Sequence, residues 1–261
     1  MFELSDVSYS YDGRPALRSV HLKIAKGEAI AFLGANGCGK STLLKLLSGL
    51  IFPLTGSFRY NGEAINRQKM DDTKYAKQFH QQIGFVFQNP DTQLFCADVF
   101  AEIAFGPRQM GLAEQDVAQR VGDMLELLDL RGFERRQPYH LSGGEKRKVA
   151  LAAVLAMNPD ALILDEPMNG LDPRSMRWLA EFLVQLNKNG KTLILSTHNL
   201  DLVQEISPRA VLFAEDHTIA ADLQTDNLLG DLELLKRVNL VDPYYHQHSD
   251  SGHTSFHIHS Y

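Results

Sequence analysis

Ala29-Ile30-Ala31-Phe32-Leu33-Gly34-Ala35-Asn36-Gly37-Cys38-Gly39-Lys40-Ser41-Thr42-Leu43-Leu44 is the stretch on which the fold turns. Its first five residues form a continuous apolar run, as expected of a strand buried on both faces. Gly34 to Ser41 then fits G-x-x-x-x-G-K-[ST] at every fixed position. Leu43, Leu44, Leu46, Leu47 and Leu50 follow at helical spacing, and Pro53 with Gly56 closes the segment. Strand, glycine loop and helix in that order make a cradle for a polyphosphate. Glycines let the loop curl so that successive backbone N–H groups, from Gly34 through Asn36, Gly37, Cys38 and Gly39, point inward. The helix start adds its own N–H groups and positive dipole end. Lys40 is placed to reach the β- and γ-phosphates, and the Ser41 hydroxyl to ligate Mg²⁺. The bland reading, a glycine-rich turn with no ligand, does not need all the fixed positions. The motif specifies a nucleoside triphosphate and no more, because kinases, GTPases, helicases and transport ATPases share it.

Farther along, Ala161-Leu162-Ile163-Leu164 is an apolar strand that ends in Asp165-Glu166. Side chains alternate along a strand, so two adjacent carboxylates can do different work. Asp165 is expected near Mg²⁺ through its water shell, and Glu166 facing the γ-phosphate, where it polarises the attacking water. A carboxylate of ordinary pKa ~4.3 is a weak base, so its benefit lies mostly in placing that water in line. Leu141-Ser142-Gly143-Gly144-Glu145 contains a capping box, Ser142-x-x-Glu145, opening a helix from Lys146 to Met157. A capping box does not need two glycines between its ends. Small residues there bare the N–H groups of a helix start, which makes a second anion site. A long helical stretch separates this site from Lys40, which suggests one nucleotide clamped by two copies of the chain.

These ordered motifs resemble those of ATP-binding cassette (ABC) ATPase subunits, over about residues 2–225. The resemblance implies an α/β fold: a P-loop NTPase (RecA-like) parallel-sheet core, an antiparallel β subdomain, and an inserted α-helical subdomain from about 92 to 157. It implies a head-to-tail homodimer with ATP and Mg²⁺ between the phosphate loop of one copy and Leu141–Glu145 of the other. Ser142 and Gly144 then touch the γ-phosphate, with Gly143 and Glu145 completing the motif. Tyr11 matches the aromatic that stacks on adenine, or is simply a strand-edge tyrosine; Thr42 matches the residue on the α-phosphate. Gln88 matches the loop glutamine that senses Mg²⁺ and a membrane partner, Asp172 the interface aspartate, and His198 the histidine holding the γ-phosphate. Lys40, Glu166 and His198 are thus the expected catalytic set, and Ser41, Gln88 and Asp165 the Mg²⁺ set. Cys38 stands where serine is usual, and at a helix start its thiol is expected to be acidified. Met168 and Lys148 replace a frequent Thr and Arg without removing a group the chemistry needs.

The remaining pattern agrees with an α/β chain. Ala161–Leu164, Thr192–Leu195 and Ala210–Phe213 are short apolar runs, with a helical stretch between the first two, a βαβ rhythm that implies a parallel sheet. Val20, Leu22 and Ile24 alternate as a half-buried strand, and Ile83–Phe87 reads as another. Val117, Val121, Leu125 and Leu128 draw one helix face. Leu228, Leu232 and Leu235 place a short C-terminal helix within 226–240, ahead of a His-rich tail, 241–261, expected to be flexible.

The 261 residues are 44% hydrophobic and 22% charged, the balance of a globular chain. With 26 basic against 32 acidic residues the net charge is −6, which argues against broad nucleic-acid binding. Two cysteines make no disulfide framework, so a reducing compartment is expected. No apolar run reaches the ~20 residues of a bilayer-crossing helix, and the start lacks a signal-peptide pattern. Any membrane role is therefore expected to be peripheral, through other chains, and the resemblance implies a place on the cytoplasmic face of the membrane with integral-membrane transporter subunits as partners. Asn89-Pro90-Asp91-Thr92-Gln93-Leu94-Phe95, followed by Ala104-Phe105-Gly106-Pro107, is similar to the energy-coupling-factor transporters, which import vitamins or Co²⁺ and Ni²⁺. Leu94 and Phe95 are read as part of a groove for a membrane protein's coupling helix. His246, His248, His253, His257 and His259 are five of the ten histidines, and imidazole suits Ni²⁺, Co²⁺ or Zn²⁺. The preferred reading is the ATP-hydrolysing subunit of a cobalt or nickel importer. Its rivals are import of a vitamin or other solute, or a soluble repair or regulatory ATPase.

Overall fold

In the computed structural model, which describes residues 1–241, 245–250 and 253–258, the chain divides into two units. One is Met1–Arg67 with Ala180–Tyr261; the other is Gln68–Leu179.

In the first unit, strands Phe2–Tyr11 and Arg14–Ile24 form an antiparallel hairpin, with Phe2 opposite Ile24 and Tyr11 opposite Arg14. The turn is Asp12-Gly13, both at positive φ (47° and 77°), the geometry that matches the twist of paired strands. Thr55–Tyr60 pairs on the other side of Phe2–Tyr11, and Glu63–Ala64 pairs with Thr55–Tyr60 in turn. Alternation puts Phe2, Leu4, Val7, Leu17, Val20, Leu22 and Phe58 inside, which is the antiparallel region expected from sequence. Ala29–Leu33 lies between two parallel neighbours, Thr192–Ser196 and Arg209–Phe213, and all five of its residues are buried. Ile219–Gln224 adds an antiparallel strand beside Arg209–Phe213. Both parallel strands that flank the phosphate-loop strand coincide with the apolar runs Thr192–Leu195 and Ala210–Phe213.

Two expectations in this unit need correction. The Lys40–Leu47 helix ends at Ser48, and Gly49 at φ 71° turns the chain, so Leu50 is 49% exposed and not on the helix face. The C-terminal helix is two short ones, Thr225–Gly230 and Leu232–Arg237. Asp231 between them leaves helical geometry, and its carboxylate accepts a hydrogen bond from Leu234 N at 2.9 Å, starting the second helix anew. That break rotates the apolar stripe, so Leu228, Leu234 and Leu235 are buried while Leu232 is not. The expectation of a flexible His-rich tail falls on residues whose side chains lie outside the described set. The described backbone there pairs Tyr245–Asp250 antiparallel with His253–Ile258, and His259 is not described.

In the second unit, Ile83–Val86 pairs parallel with Ala161–Asp165, Val86 facing Leu164. Helices Val99–Gln109, Glu114–Leu127 and Gly143–Leu155 make the helical lobe. Val117, Val121, Leu125 and Leu128 are buried along one face, as their spacing predicts. Gly84 lets the Gly143–Leu155 helix lie against the strand: a Cβ there would come within 2.3 Å of Val154 Cγ1. Thr73–Gln82 and the part of the Pro173–Lys188 helix up to Leu179 complete the unit.

Candidate functional site

The first unit carries the phosphate loop. Gly34, Gly37 and Gly39 hold φ of 142°, 83° and 116°, a left-handed run that L side chains resist. The helix that follows has no side-chain cap and no acid in its first turn, which leaves its positive end facing the loop. Lys40 is buried, and its ammonium donates to the carbonyls of Gly34 (2.7 Å) and Ala35 (3.0 Å), so the cation sits over the curled loop. Thr42 is buried next to it and Ser41 is partly exposed. Asn36 and Gly37 lie on the exposed rim. His198 is exposed just beyond Thr192–Ser196. Its turn is fixed by Thr197, whose Oγ1 accepts from Asn199 N and whose N donates to Phe32 O in the strand feeding the loop. Tyr11, 42% exposed at the hairpin tip, packs edge-on against Tyr9 at 4.9 Å.

Cys38 departs from expectation. Its thiol is only 2% exposed, and burial raises its pKa from the ordinary value, outweighing the lowering by Lys40. The helix start does not make this an acidic thiol. Thiolate is the nucleophile, so in the native protein at pH 8 iodoacetamide should modify Cys38 at least about tenfold more slowly than in urea. Peptide mass spectrometry of a labelling time course checks this. Equal rates in the two conditions would restore the acidified thiol.

The second unit carries the acids and the glycine-rich helix start. Asp165 and Glu166 are buried at the end of their strand, and Glu166 takes φ 47°. A left-handed non-glycine residue costs about 1–3 kcal/mol and clusters where geometry serves function. The turn that follows closes on itself, with Asn169 N donating to Glu166 O at 3.1 Å. The capping box forms as read. Ser142 Oγ accepts from Glu145 N at 3.3 Å, and Glu145 Oε2 accepts from Ser142 N at 2.7 Å, which holds the Glu145 carboxyl below its usual range. A Cβ on Gly143 would meet nothing within 4 Å, and one on Gly144 would make only ordinary contacts. Asp172 caps the Pro173–Lys188 helix, accepting from Arg174 N and Ser175 N (both 3.0 Å) and from Ser175 Oγ, and these bonds hold its carboxyl low. Gln88 is exposed two residues beyond Ile83–Val86.

One residue escaped sequence reading. Arg147, in the first turns of the Gly143–Leu155 helix, donates to the carbonyls of Gln88 (3.0 Å), Asn169 (2.7 Å) and Pro167. A basic residue near a helix start looks like a solvated surface charge, and nothing in the spacing marks it.

The same unit has a groove of about 450 Å³ walled by Phe95, Phe105, Met110, Ala153 and Met157. Phe95 is 68% exposed and meets Phe105 edge-on at 4.9 Å. Buried Glu102 shapes the loop, its Oε2 accepting from Phe95 N and Cys96 N. Phe95 therefore stands on an apolar groove as expected; Leu94 is half-buried and does not line it. Among the described residues no helix is long and apolar enough to cross a membrane.

A family profile described as ABC transporter matches residues 17–169. The nickel import ATP-binding protein LarO of Lactiplantibacillus plantarum is 44% identical over 228 residues, 87% of this chain and 95% of that protein. The energy-coupling factor transporter ATP-binding protein EcfA of Methanothermobacter thermautotrophicus is 41% identical over 244 residues, 93% of this chain and 77% of that protein. The solved structure of CbiO1 from Clostridium perfringens, part of the ABC transporter complex CbiONQ, is similar with a TM-score of 0.78 and 33% identity. That likeness covers 92% of this chain and 94% of the solved one. With its phosphate loop, paired acids and capped glycine helix start in one α/β P-loop NTPase fold, this chain belongs to the ABC transporter ATP-binding family and is an ATPase.

Proposed function

We propose that this ATPase is the energising subunit of an energy-coupling-factor type uptake transporter, dimerising on MgATP to drive import of cobalt or nickel ions. The observation that carries the dimer is Gly143. Its backbone needs no glycine and its own chain leaves the space open, so the demand for a bare helix start comes from a ligand brought by another copy. In this reading Lys40 and the N–H groups of Gly34, Asn36, Gly37, Cys38 and Gly39 hold the phosphates. Thr42 bonds the α-phosphate and Tyr11 stacks on adenine. Ser142, Gly143, Gly144 and Glu145 of a second copy close over the γ-phosphate, with Asp172 at the same interface. Glu166 orients the attacking water and His198 steadies the γ-phosphate. Ser41, Gln88 and Asp165 offer a hydroxyl, an amide oxygen and a carboxylate, a hard oxygen set that fits Mg²⁺. The ion, when bound, neutralises phosphate charge.

In the same reading the groove beside the Gln88 loop receives a helix of an integral-membrane subunit, and the chain works at the cytoplasmic face of the membrane. Support for metal import comes from LarO, a nickel import protein by name, and from five histidines in the last residues of the chain. The test is a complex isolated with its hydrophobic subunits and reconstituted in vesicles. ATP-dependent accumulation of Ni²⁺ or Co²⁺ is expected. Uptake of a vitamin without metal overturns the cargo, and an ATPase that never co-purifies with hydrophobic subunits overturns the transporter. Changing Leu94 and Phe95 together to Ser should abolish uptake while ATP affinity stays within about twofold, because exposed aromatic anchors carry most of such an interface. A variant that fails to fold would instead assign both residues to the lobe's own core.

A further inference from the structure

We propose that Arg147 is a positioning residue that clamps the turn after Glu166 to the backbone of Gln88 and thereby sets where the Glu166 carboxylate points. The proposal rests on the reading of Glu166 as the group that orients water. Ile83–Val86 and Ala161–Asp165 run parallel and in register, Val86 beside Leu164, so both strands deliver their next residues to the same end. Gln88 follows one strand by two residues, and Pro167 follows the other by two. The Arg147 guanidinium bridges these two exits, donating to Gln88 O at 3.0 Å on one side and to Pro167 O and Asn169 O on the other. Glu166 lies between the strand end and that clamped turn, at φ 47°. Such a conformation persists only when its surroundings over-determine it. Arg147 and the Asn169 N to Glu166 O bond both restrain that turn. The task needs a planar fork of several donors, which an ammonium does not supply. Arg147 itself is not assigned any contact with nucleotide.

Conservative replacement separates charge from geometry. Arg147→Lys keeps the cation and loses the fork; Arg147→Met loses both. In steady-state hydrolysis by the full-length chain, both variants should lose at least tenfold in kcat while KM for MgATP stays within twofold, since small misplacement of a reacting group costs rate and not binding. Trp178, the one tryptophan of the chain, lines a small cavity together with Arg147 and Lys148 and reports local packing. Its emission should be unchanged in Arg147→Lys. Added to Glu166→Gln, Arg147→Met should lower the residual rate by less than twofold, because both act through one carboxylate.

Wild-type kcat in Arg147→Met overturns the clamp. So does a loss of kcat in both variants that comes with an equal rise in KM and a shifted Trp178 emission, which makes Arg147 a folding residue. An active Glu166→Gln variant sinks the reading of Glu166, whereas an inactive Glu166→Gln beside an active Arg147→Met sinks the clamp alone.

Discussion

Glu166→Gln should bind MgATP as the parent does and all but cease to turn it over. The amide matches the carboxylate in shape, so the left-handed turn at φ 47° and the strand that supports it stay in place. What disappears is the negative charge that orients and polarises water. A positioned acid–base group contributes roughly 10²–10⁴-fold, so a loss of at least about a hundredfold in kcat is expected. That corresponds to about 3 kcal/mol of transition-state stabilisation. Because hydrolysis is what separates the copies in the proposed cycle, the variant should accumulate as an ATP-dependent dimer. Size-exclusion chromatography with and without MgATP, beside a phosphate-release assay, measures both halves of the expectation. Steady-state hydrolysis at the parent's rate would remove Glu166 from the reaction.

Gly39→Ala should cost more than any other single methyl in the phosphate loop. The residue holds φ 116°, and a Cβ built there would lie 2.2 Å from Ala16 O. That carbonyl cannot retreat cheaply. Ala16 is buried inside the Arg14–Ile24 strand, at the register shift between Pro15, opposite Ser10, and Leu17, opposite Tyr9, so both of its neighbours are held by pairing. Backbone strain of about 1–2 kcal/mol and overpacking of about 1–3 kcal/mol act together, for a loss of about 2–5 kcal/mol. Gly37→Ala is the control: φ is 83°, but a Cβ meets nothing within 4 Å, so only the strain remains. A urea melt should rank the parent above Gly37→Ala and Gly37→Ala above Gly39→Ala. Titration with a fluorescent ATP analogue should show binding lost in Gly39→Ala even where the variant is still folded. Equal midpoints for the two variants would mean that the Ala16 contact is not the barrier.

Much of this was legible in the chain because local physics writes it there. An apolar run stopping at Gly34 declares a buried strand and a curled loop, and Ser142 three residues before Glu145 declares a cap. Four apolar residues at helical spacing declare a face. Thr73–Gln82 escaped because only Phe79 in it is buried, so it draws no stripe. Leu50 and Leu232 were misplaced because periodicity continues on paper past the point where Gly49 or Asp231 turns the chain. Cys38 was misjudged because a helix start is visible in sequence and burial is not. Arg147 was invisible for a deeper reason. Its acceptors are backbone carbonyls, which every residue owns, and they lie 59 positions upstream and 20 and 22 downstream.

The buried thiol of Cys38 carries a physiological corollary. Peroxide and thiol–disulfide exchange both begin with an accessible thiolate, and this sulfur offers neither access nor ready ionisation. In the proposed reading, sulfur therefore stands in the nucleotide cradle shielded by its own packing, and peroxide is expected to reach it only when the loop opens.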